Sequence, residues 1–477
     1  MSPQAQLVLL LWLPVILYLF QRFPSRTAII YSFVGGFLFL PRRTGFKLPL
    51  IPDYEGMTAT CYGILIATFL YDRERLNRFK FHPIDIPMIC WCGSPILSSL
   101  TNDLCFYDGF NTSLEYIAVW GLPYFLGRLY LDNLAGMSEL AVTLLKGGIL
   151  YIPMGLYEIK ASPQIHRMVY GFFAHPSGIS QSLRGSTYRP SVFMEHGLVM
   201  AMFMFTVTLT AVWLWQAQFP LTILGQPLSV WSLLLILTLF LIKSSGAYGY
   251  LIYGFLILFV AKFTKLSIPI LLIMALIIYY LYLGVTGQFD GEAIVDWIAT
   301  NYDADRAQSL GFRFFNEESL RVKAQERMLF GWGGWGRNRI FDYNSQGELV
   351  DMSVTDSQWI ITFGINGVFG LASLTTSLLL PVFLFAVKRY PAKTWFHPKV
   401  APSAVLGVCL TLFVFDSLLN VTFNPTFPLI CGGLSGLVAK PAESLTGQAK
   451  SAATLSTPKA VSPPSGKRPL FPQRRFP

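Results

Sequence analysis

The stretch that decides the fold is residues 268–283, which reads IPILLIMALIIYYLYL and contains no charged side chain. A second uncharged run, WSLLLILTLFLI, occupies residues 231–242. The chain of 477 residues is 53% hydrophobic and 13% charged, whereas soluble proteins carry about 25% charged residues. This composition excludes a long disordered chain, a collagen-like repeat and a small disulfide scaffold. It predicts an all-α integral membrane protein, because helices satisfy their own backbone hydrogen bonds within a bilayer.

Apolar runs suited to membrane crossing recur along the chain. A bilayer core takes roughly 20 helical residues, and about 12 or 13 transmembrane helices are predicted. They lie at residues 7–20, 27–40, 57–71, 84–100, 113–130, 140–157, 193–215, 228–242, 246–261, 268–283, 357–387, 400–419 and 425–439. The first two runs are short for a full crossing, which leaves a half-inserted hairpin open as an alternative.

Basic connections predict the side of each loop. Residues 72–83, 262–267 and 388–399 are short, basic and on one side of the predicted spans. This side is predicted to be cytoplasmic, because Lys and Arg are enriched in cytoplasmic loops. Residues 158–192 and 286–354 then form outer loops, the second of them large. Residues 41–56 do not fit this assignment, since they carry Arg42, Arg43 and Lys47 yet fall on the predicted outer side.

The C-terminal segment supplies most of the net charge. Residues 440–477 hold seven Lys or Arg, one acid and seven Pro, and contribute +6 of the formal net charge of +10. The predicted organisation is therefore a polytopic membrane domain at residues 1–439 and a disordered, basic, Pro/Ser/Ala-rich cytoplasmic tail at 440–477. Such a tail suits anionic lipid headgroups. No nucleic-acid partner is predicted.

The large outer loop concentrates charge in a chain that otherwise lacks it. Residues 286–354 contain 18 charged side chains in 69 positions. Six arginines, whose planar guanidinium groups suit an anion, are Arg306, Arg313, Arg321, Arg327, Arg337 and Arg339. Glycines at 331, 333, 334 and 336 let the backbone approach a ligand or another segment closely. A long loop on a membrane scaffold is where function is expected.

Each of these features also has a structural interpretation. A solvated helix with ion pairs one turn apart would account for Arg321, Arg327, Glu317, Glu318 and Glu326. The glycine run would form a turn, and glycines at 364, 367 and 370 would let membrane helices pack closely. Asp356 precedes an apolar run and would serve as an N-cap.

The other outer loop and its border contain three of the five histidines, His166, His175 and His196, together with Arg189. Their spacing matches no common metal-binding motif, so neither a metal nor a cofactor is predicted. A histidine here would act as a base, hydrogen-bond to hydroxyl groups, or simply lie in the membrane interface.

Short motifs at residues 243–247, KSSGA, and at 355–370 are the most distinctive in the chain. They resemble the O-antigen polymerase/O-antigen ligase superfamily of bacterial envelope enzymes over roughly residues 193–371. Lys243 stands where that family usually has arginine, residues 328–333 are similar to its Pro-Leu-Phe-Gly-x-Gly stretch without the proline, and its essential loop arginine best matches Arg313. Ligases have His-Asn where this chain has Asp356-Ser357. Thr355-Asp356 is similar instead to the Thr-Asp of the shape, elongation, division and sporulation transglycosylases.

The resemblance implies an all-helical, GT-C-like glycosyltransferase in the bacterial inner membrane. Its donor would be an undecaprenyl-pyrophosphate-linked oligosaccharide. The reaction would polymerise or ligate polysaccharide repeat units by metal-independent, inverting transfer. The bilayer and other polysaccharide-assembly proteins would be its partners.

The resemblance and the cations of the outer loops together predict the residues of the site. Arg313 and Asp356 are the predicted catalytic pair: Arg313 would neutralise the pyrophosphate leaving group, and Asp356 would orient or deprotonate the acceptor hydroxyl. The residues predicted to bind pyrophosphate or glycan are Lys243, Arg337, Arg339, Arg189 and His166.

Two other classes of function stay open. A transporter or flippase of lipid-linked sugars favours ionisable residues near mid-span and an internal repeat. Lys146 and Asp416 are the mid-span candidates, and the sequence has no convincing repeat. A non-catalytic polysaccharide-assembly protein would leave the loop arginines dispensable.

Overall fold

A computed structural model describes residues 2–445, apart from residues 177, 181, 290, 302–303 and 345 and the side chains of residues 305, 306 and 309. The side chain of Arg306 and the predicted tail beyond residue 445 therefore lie outside the described part. Helices make up 69% of the chain. The α-helices, α1 to α18, are Pro3–Arg22, Ser25–Phe39, Gly56–Tyr71, Arg73–Asn77, Ile86–Leu100, Phe106–Tyr116, Leu122–Tyr130, Leu134–Ala161, Ile165–Tyr170, Gly197–Gln216, Leu228–Leu241, Ser245–Thr264, Ile268–Thr286, Glu292–Asn301, Ala304–Gln325, Gln358–Leu384, Ala401–Asp416 and Thr426–Ala439.

Among the described helices, six are long and apolar enough to cross a membrane: α1, α8, α10, α12, α13 and α16 with its extension to Arg389. Five shorter apolar helices, α2, α3, α11, α17 and α18, have between 10 and 17 residues. The chain is thus an all-α, multi-pass membrane protein. The total of 12 or 13 spans stays a prediction.

The connections contain short antiparallel hairpins and irregular helical turns. The hairpins, β1 to β8, pair Gly45–Phe46 with Tyr54–Glu55, Leu183–Arg184 with Thr187–Tyr188, Thr222–Ile223 with Gln226–Pro227, and Phe341–Tyr343 with Leu349–Asp351. π-Helical turns at Ile117–Gly121 and Phe385–Arg389 continue α6 and α16, and 3-10 turns lie at Pro83–Asp85 and Ala392–Thr394. The large loop thus has its own structure, built from α14, α15 and the β7–β8 hairpin.

Contacts between connections define two ends of the helix bundle. The end that carries residues 41–56, 158–192 and 286–354 is called the outer end. There the Arg42 backbone N–H donates to His166 Nε2 at 3.1 Å. The inner end carries residues 23–26, 72–83 and 440–443. There Lys440 pairs with Asp132, so the described fold continues past the boundary predicted at residue 439. The basic segment 41–56 lies at the outer end despite its charge.

A buried ion pair stabilises the inner end. Arg128 of α7 donates from Nε and Nη2 to the two carboxylate oxygens of Asp85 at 2.6 and 2.9 Å, and both side chains are 5% exposed. The Tyr124 hydroxyl donates to the same carboxylate at 2.6 Å. A bidentate pair of this kind gains geometric specificity as well as energy.

α16 is interrupted at Gly367, where φ is 65° and ψ is −167°. In an unbroken helix the amides of residues 368 and 369 would donate to the carbonyls of residues 364 and 365. Here residues 328–333 of the large loop lie in the break. The amides of Trp332 and Gly333 donate to those two carbonyls at 2.8 and 3.0 Å. The amides of Val368 and Phe369 donate to the carbonyls of residues 328 and 329 at 2.9 and 3.1 Å.

The two glycine motifs fit each other at this break. A Cβ atom on Gly331, whose φ is 72°, would lie 2.6 Å from the backbone nitrogen of Asn366. One on Gly367 would lie 2.6 Å from the backbone nitrogen of Phe330. The loop glycines therefore permit approach to another segment, one of the two predicted roles. The expectation that Gly367 serves helix packing is wrong, because its neighbour is loop backbone.

Candidate functional site

The two predicted catalytic side chains lie together at the outer end. Arg313 is on α15, and Asp356 lies two residues before α16. Arg313 Nε is 3.7 Å from Asp356 Oδ2, and the side chains are 31% and 40% exposed. Arg313 Nη1 donates to the carbonyl of Leu419, beyond α17, at 3.1 Å. Three separate parts of the chain thus form one cation–carboxylate pair that a ligand can reach.

The expectation that Asp356 caps α16 is wrong. Ser357 occupies the N-cap position, and its hydroxyl donates to the Glu317 carboxylate. The Asp356 carboxylate is therefore one residue outside the helix and beside Arg313.

A buried carboxylate supports this pair from α15. Glu317, one helical turn after Arg313, is 7% exposed and also accepts a hydrogen bond from the Tyr280 hydroxyl at 3.1 Å. Burial raises the pKa of Glu317, while the hydroxyl donors and Arg313 oppose that rise. The expectation that Glu317 belongs to a solvated helix face is wrong. Glu318 and Arg321 do form an ion pair one turn apart, as expected, although the Arg321 side chain is only 13% exposed.

A second buried carboxylate lies at the end of α17. Asp416 accepts hydrogen bonds from Tyr250 and Asn420, each at 2.7 Å, and from Thr422 at 2.9 Å. Asn420 also accepts from Arg313 Nη1 at 3.4 Å. Asp416 is the last residue of α17, so it lies at the outer end and not at mid-span as expected.

This arrangement leaves Arg313 both fixed and available. Its Nε and Nη1 atoms are engaged, whereas Nη2 has no hydrogen-bond partner among the described residues. A guanidinium positioned in this way can accept an anion without reorganising, which is the requirement for electrostatic stabilisation of developing charge.

Lys243 and Arg189 form a second group, ahead of α12. Lys243 Nζ donates to the carbonyl of Arg184 at 3.3 Å, and Arg189 Nη2 donates to the carbonyl of Lys243 at 3.4 Å. Three cationic side chains thereby gather where α12 begins. Tyr250, in the second turn of α12, reaches Asp416, so this helix connects the second group to the surroundings of Arg313.

His166 lies in the same region but is committed to the protein. Its side chain is buried, Nδ1 is 2.7 Å from the Phe172 carbonyl, and Nε2 accepts from the Arg42 amide. Burial lowers the pKa of His166. It lines a small cavity with Arg189, so any role in binding would come from shaping the cavity.

Two further histidines lie in that cavity. The rings of His175 and His196 are 5.1 Å apart, and His196 Nδ1 accepts from the amide of Leu198 as the N-cap of α10. Burial, with the nearby charges of His175, Arg189 and Arg184, lowers the pKa of His196 to about 4.

Glu158 holds this outer loop in place. Its two carboxylate oxygens accept from the backbone amides of Ile165, Ser191 and Val192, at 2.9, 2.9 and 2.7 Å. One buried side chain thus fixes both ends of the loop that carries His166 and Arg189.

Arg337 and Arg339 form a third group, on the large loop. They line a cleft of about 480 Å³ together with Lys323, Trp332, Trp335, Gly336, Ile340 and Phe341. Arg339 pairs with Asp351, and Arg337 Nη1 donates to the Asn102 carbonyl at 3.4 Å. The seven predicted site residues therefore fall into three groups, all at the outer end.

Among the described residues, no group of three or more His, Cys, Asp or Glu side chains is arranged to hold a metal ion. The six cysteines are free thiols.

No known protein family matches this chain, and no curated protein matches it either. The superfamily resemblance accordingly stays an expectation, and the roles of the site residues stay predictions.

The sequence does not predict that Glu317 and Asp416 lie near Arg313, since it favours a solvated helix face for Glu317 and a mid-span position for Asp416. A signal for Glu317 was present: it falls on the same face of α15 as Leu320 and Ala324, which are both buried. For Asp416 the sequence offers no comparable signal, because its partners come from α12 and from the segment after α17.

Proposed function

We propose that this protein transfers glycan from an undecaprenyl-pyrophosphate-linked donor to a sugar hydroxyl at the outer face of the inner membrane, as a polysaccharide polymerase or ligase. The observation that carries the proposal is the Arg313–Asp356 pair, in which a fixed guanidinium and a carboxylate share one accessible site. Transfer from a pyrophosphate needs both groups, a cation for the leaving group and a base or orienting group for the acceptor.

Arg313 acts on the leaving group. As the bond between the anomeric carbon and the pyrophosphate oxygen breaks, negative charge develops on that oxygen. A guanidinium held by Leu419 and Asp356 meets this charge without reorganisation, which in comparable sites accelerates a reaction by about 10²–10³-fold. The cations at Lys243 and Arg189 extend the same field along the outer end.

Asp356 acts on the acceptor. The hydroxyl oxygen forms a bond to the anomeric carbon from the face opposite the pyrophosphate, so a single displacement inverts the configuration. The hydroxyl proton passes to the Asp356 carboxylate, and the undecaprenyl pyrophosphate departs as the anion beside Arg313. General base assistance of this kind contributes about 10²–10⁴-fold.

A reconstituted reaction tests the proposal. The purified protein in nanodiscs is supplied with a synthetic undecaprenyl-pyrophosphate-linked repeat unit, and the products are separated by size. A ladder is expected for a polymerase and a single larger product for a ligase. Arg313→Gln should lose the product, and Arg321→Gln, which changes an arginine on the same helix that pairs with Glu318, is its matched control. Unchanged donor with the wild-type protein would contradict the proposal.

One observation favours a transporter or flippase as a second candidate. Broken membrane helices are typical of transporters, whose free helix ends bind substrate, and α16 is broken at Gly367. In this protein, however, the backbone amides and carbonyls that the break leaves without helical partners are hydrogen-bonded to residues 328–333. In the same nanodiscs a transporter would leave the donor chemically unchanged, and in liposomes it would move the donor between leaflets.

A further inference from the structure

The cleft at Arg337 and Arg339 combines aromatic faces with cations. Trp335 is 81% exposed and has a φ of 65°, an uncommon conformation for a bulky residue. Behind it Trp332 is fixed, because its indole N–H donates to the Lys323 carbonyl at 2.7 Å and Lys323 Nζ lies 4.0 Å from its ring. One indole is thus anchored in the wall of the cleft and the other is presented to solvent.

The charged lining of the cleft is entirely cationic. Among the described residues that line it, Lys323, Arg337 and Arg339 are cations, and Asp and Glu are absent. Asp351 and Glu326, outside this lining, form ion pairs with Arg339 and Lys323, which leaves Arg337 as the lining cation without an acidic partner among the described residues. The cleft therefore favours a negatively charged ligand.

Part of the backbone of this glycine-rich turn is already used within the protein. A phosphate cradle uses free backbone amides. Here amide hydrogen bonds within the protein are already made by residues 331, 332, 333, 337 and 339. The side chains that remain available are the exposed indole of Trp335 and the guanidinium of Arg337, whose Nη1 donates to the Asn102 carbonyl at 3.4 Å, whereas Arg339 already pairs with Asp351. An indole face stacks on the flat face of a sugar, and a guanidinium fork binds a carboxylate through two hydrogen bonds.

The cleft also has a defined position relative to the Arg313–Asp356 pair. Lys323 is ten residues beyond Arg313 on α15, about 15 Å along a helix. Asp351, the partner of Arg339, ends β8 five residues before Asp356. A polysaccharide whose reacting end lies at Asp356 can therefore extend into the cleft.

We propose that this cleft binds a polysaccharide whose sugars carry carboxylate groups, several sugars away from the reacting end. The inference rests on the proposed function and adds the substrate class, an acidic glycan. Trp335 stacks on a sugar ring, and Arg337 binds a carboxylate with Arg339 beside it.

Binding of free oligosaccharide tests this assignment without any transfer reaction. The full-length protein in nanodiscs is titrated calorimetrically with a galacturonic acid tetramer and with its fully methyl-esterified form, which has the same sugars without charge. The acid should bind at least about tenfold more tightly than the ester, because hydrogen bonds to charged groups are the strong ones. Trp335→Ala and Arg337→Gln should each weaken acid binding by roughly tenfold.

Two controls match these variants in residue type. Trp297→Ala removes another exposed tryptophan of the same loop, and Arg321→Gln removes an arginine outside the cleft. Both should change the affinity less than twofold. Equal affinity for acid and ester, or unchanged affinity in Trp335→Ala, would overturn the assignment. So would a clear loss, in Trp335→Ala, of the quenching of tryptophan fluorescence by brominated lipids, since Trp335 would then be a membrane anchor.

The two proposals fail in distinguishable ways. Glycan transfer without tetramer binding overturns the cleft assignment alone. Tetramer binding by a protein that transfers no glycan leaves the cleft in place and overturns the proposed function.

Discussion

Replacing Gly331 with alanine tests whether the large loop is held in the break of α16. The added methyl group would lie 2.6 Å from the backbone nitrogen of Asn366 and 2.5 Å from the carbonyl oxygen of Ile365. Neither contact can relax by a side-chain rotation, because both neighbours are backbone. The loop must therefore move out of the break.

The size of the effect follows from two contributions. A left-handed conformation costs a residue other than glycine about 1–2 kcal/mol. Movement of the loop also breaks backbone hydrogen bonds between residues 328–333 and α16, and each buried polar group left unpaired costs about 1–3 kcal/mol. With two such groups unpaired, the free energy of unfolding should fall by roughly 3–8 kcal/mol.

Two other glycines of the same loop separate these contributions. Gly347 has a φ of 77° and open space where a Cβ atom would lie. Gly347→Ala should therefore lower the free energy of unfolding only by the cost of the left-handed conformation, about 1–2 kcal/mol. Gly334 has open space without a positive φ, so Gly334→Ala should be nearly neutral. The assay is unfolding by SDS titration in mixed micelles. If Gly331→Ala costs no more than Gly347→Ala, residues 328–333 do not occupy the break.

Three further predictions concern the supports of the site and the inner end. Glu158→Gln should make the loop at 158–192 more sensitive to limited proteolysis, because an amide cannot accept from three backbone N–H groups; an unchanged cleavage rate would contradict this. Arg128→Met should cost about 3–5 kcal/mol in unfolding free energy by leaving Asp85 buried and unpaired. Adding Asp85→Leu should recover much of that loss, and an additive further loss would refute the argument. Burial lowers the pKa of His196 from 6.5 to about 4, so the unfolded state binds more protons between these values and the free energy of unfolding falls as the pH drops from 6.5 towards 4. Asn keeps the capping acceptor without titrating. Between pH 7.5 and 4.5 the unfolding temperature of His196→Asn should therefore fall less than that of the wild-type protein. Parallel profiles of the two proteins would contradict this.

The membrane helices could be predicted from the sequence because their signal is local. Residues 268–283 are apolar throughout, and they lie within α13, Ile268–Thr286. The first run was predicted too short, at residues 7–20, whereas α1 spans Pro3–Arg22. Its polar first residues continue the helix without adding to the apolar signal, so hydropathy alone underestimates the length.

The break in α16 could not be predicted because its cause is not local. Gly367 alone is compatible with close helix packing, and Gly331 alone with a turn. What decides the structure is four backbone hydrogen bonds between segments more than thirty residues apart, and backbone groups leave no pattern in the sequence.

The candidate site was predicted in part. Arg313 and Asp356 were paired by resemblance to motifs, and the structure places them 3.7 Å apart. Glu317 was assigned to a solvated face because charged residues on helices usually are solvated. Its burial depends on hydroxyl donors from α13 and from the start of α16, which are far away in sequence.

The measurement that tests the central claim most directly is the rate of glycosidic bond formation in Arg313→Ala, in Asp356→Asn and in the double variant. All three are compared with wild type at equal folded concentration. Each single change should lower the rate by at least about 100-fold. The double change should be much less than multiplicative, because both groups act in one transition state. A wild-type rate in either well-folded single variant would contradict the account.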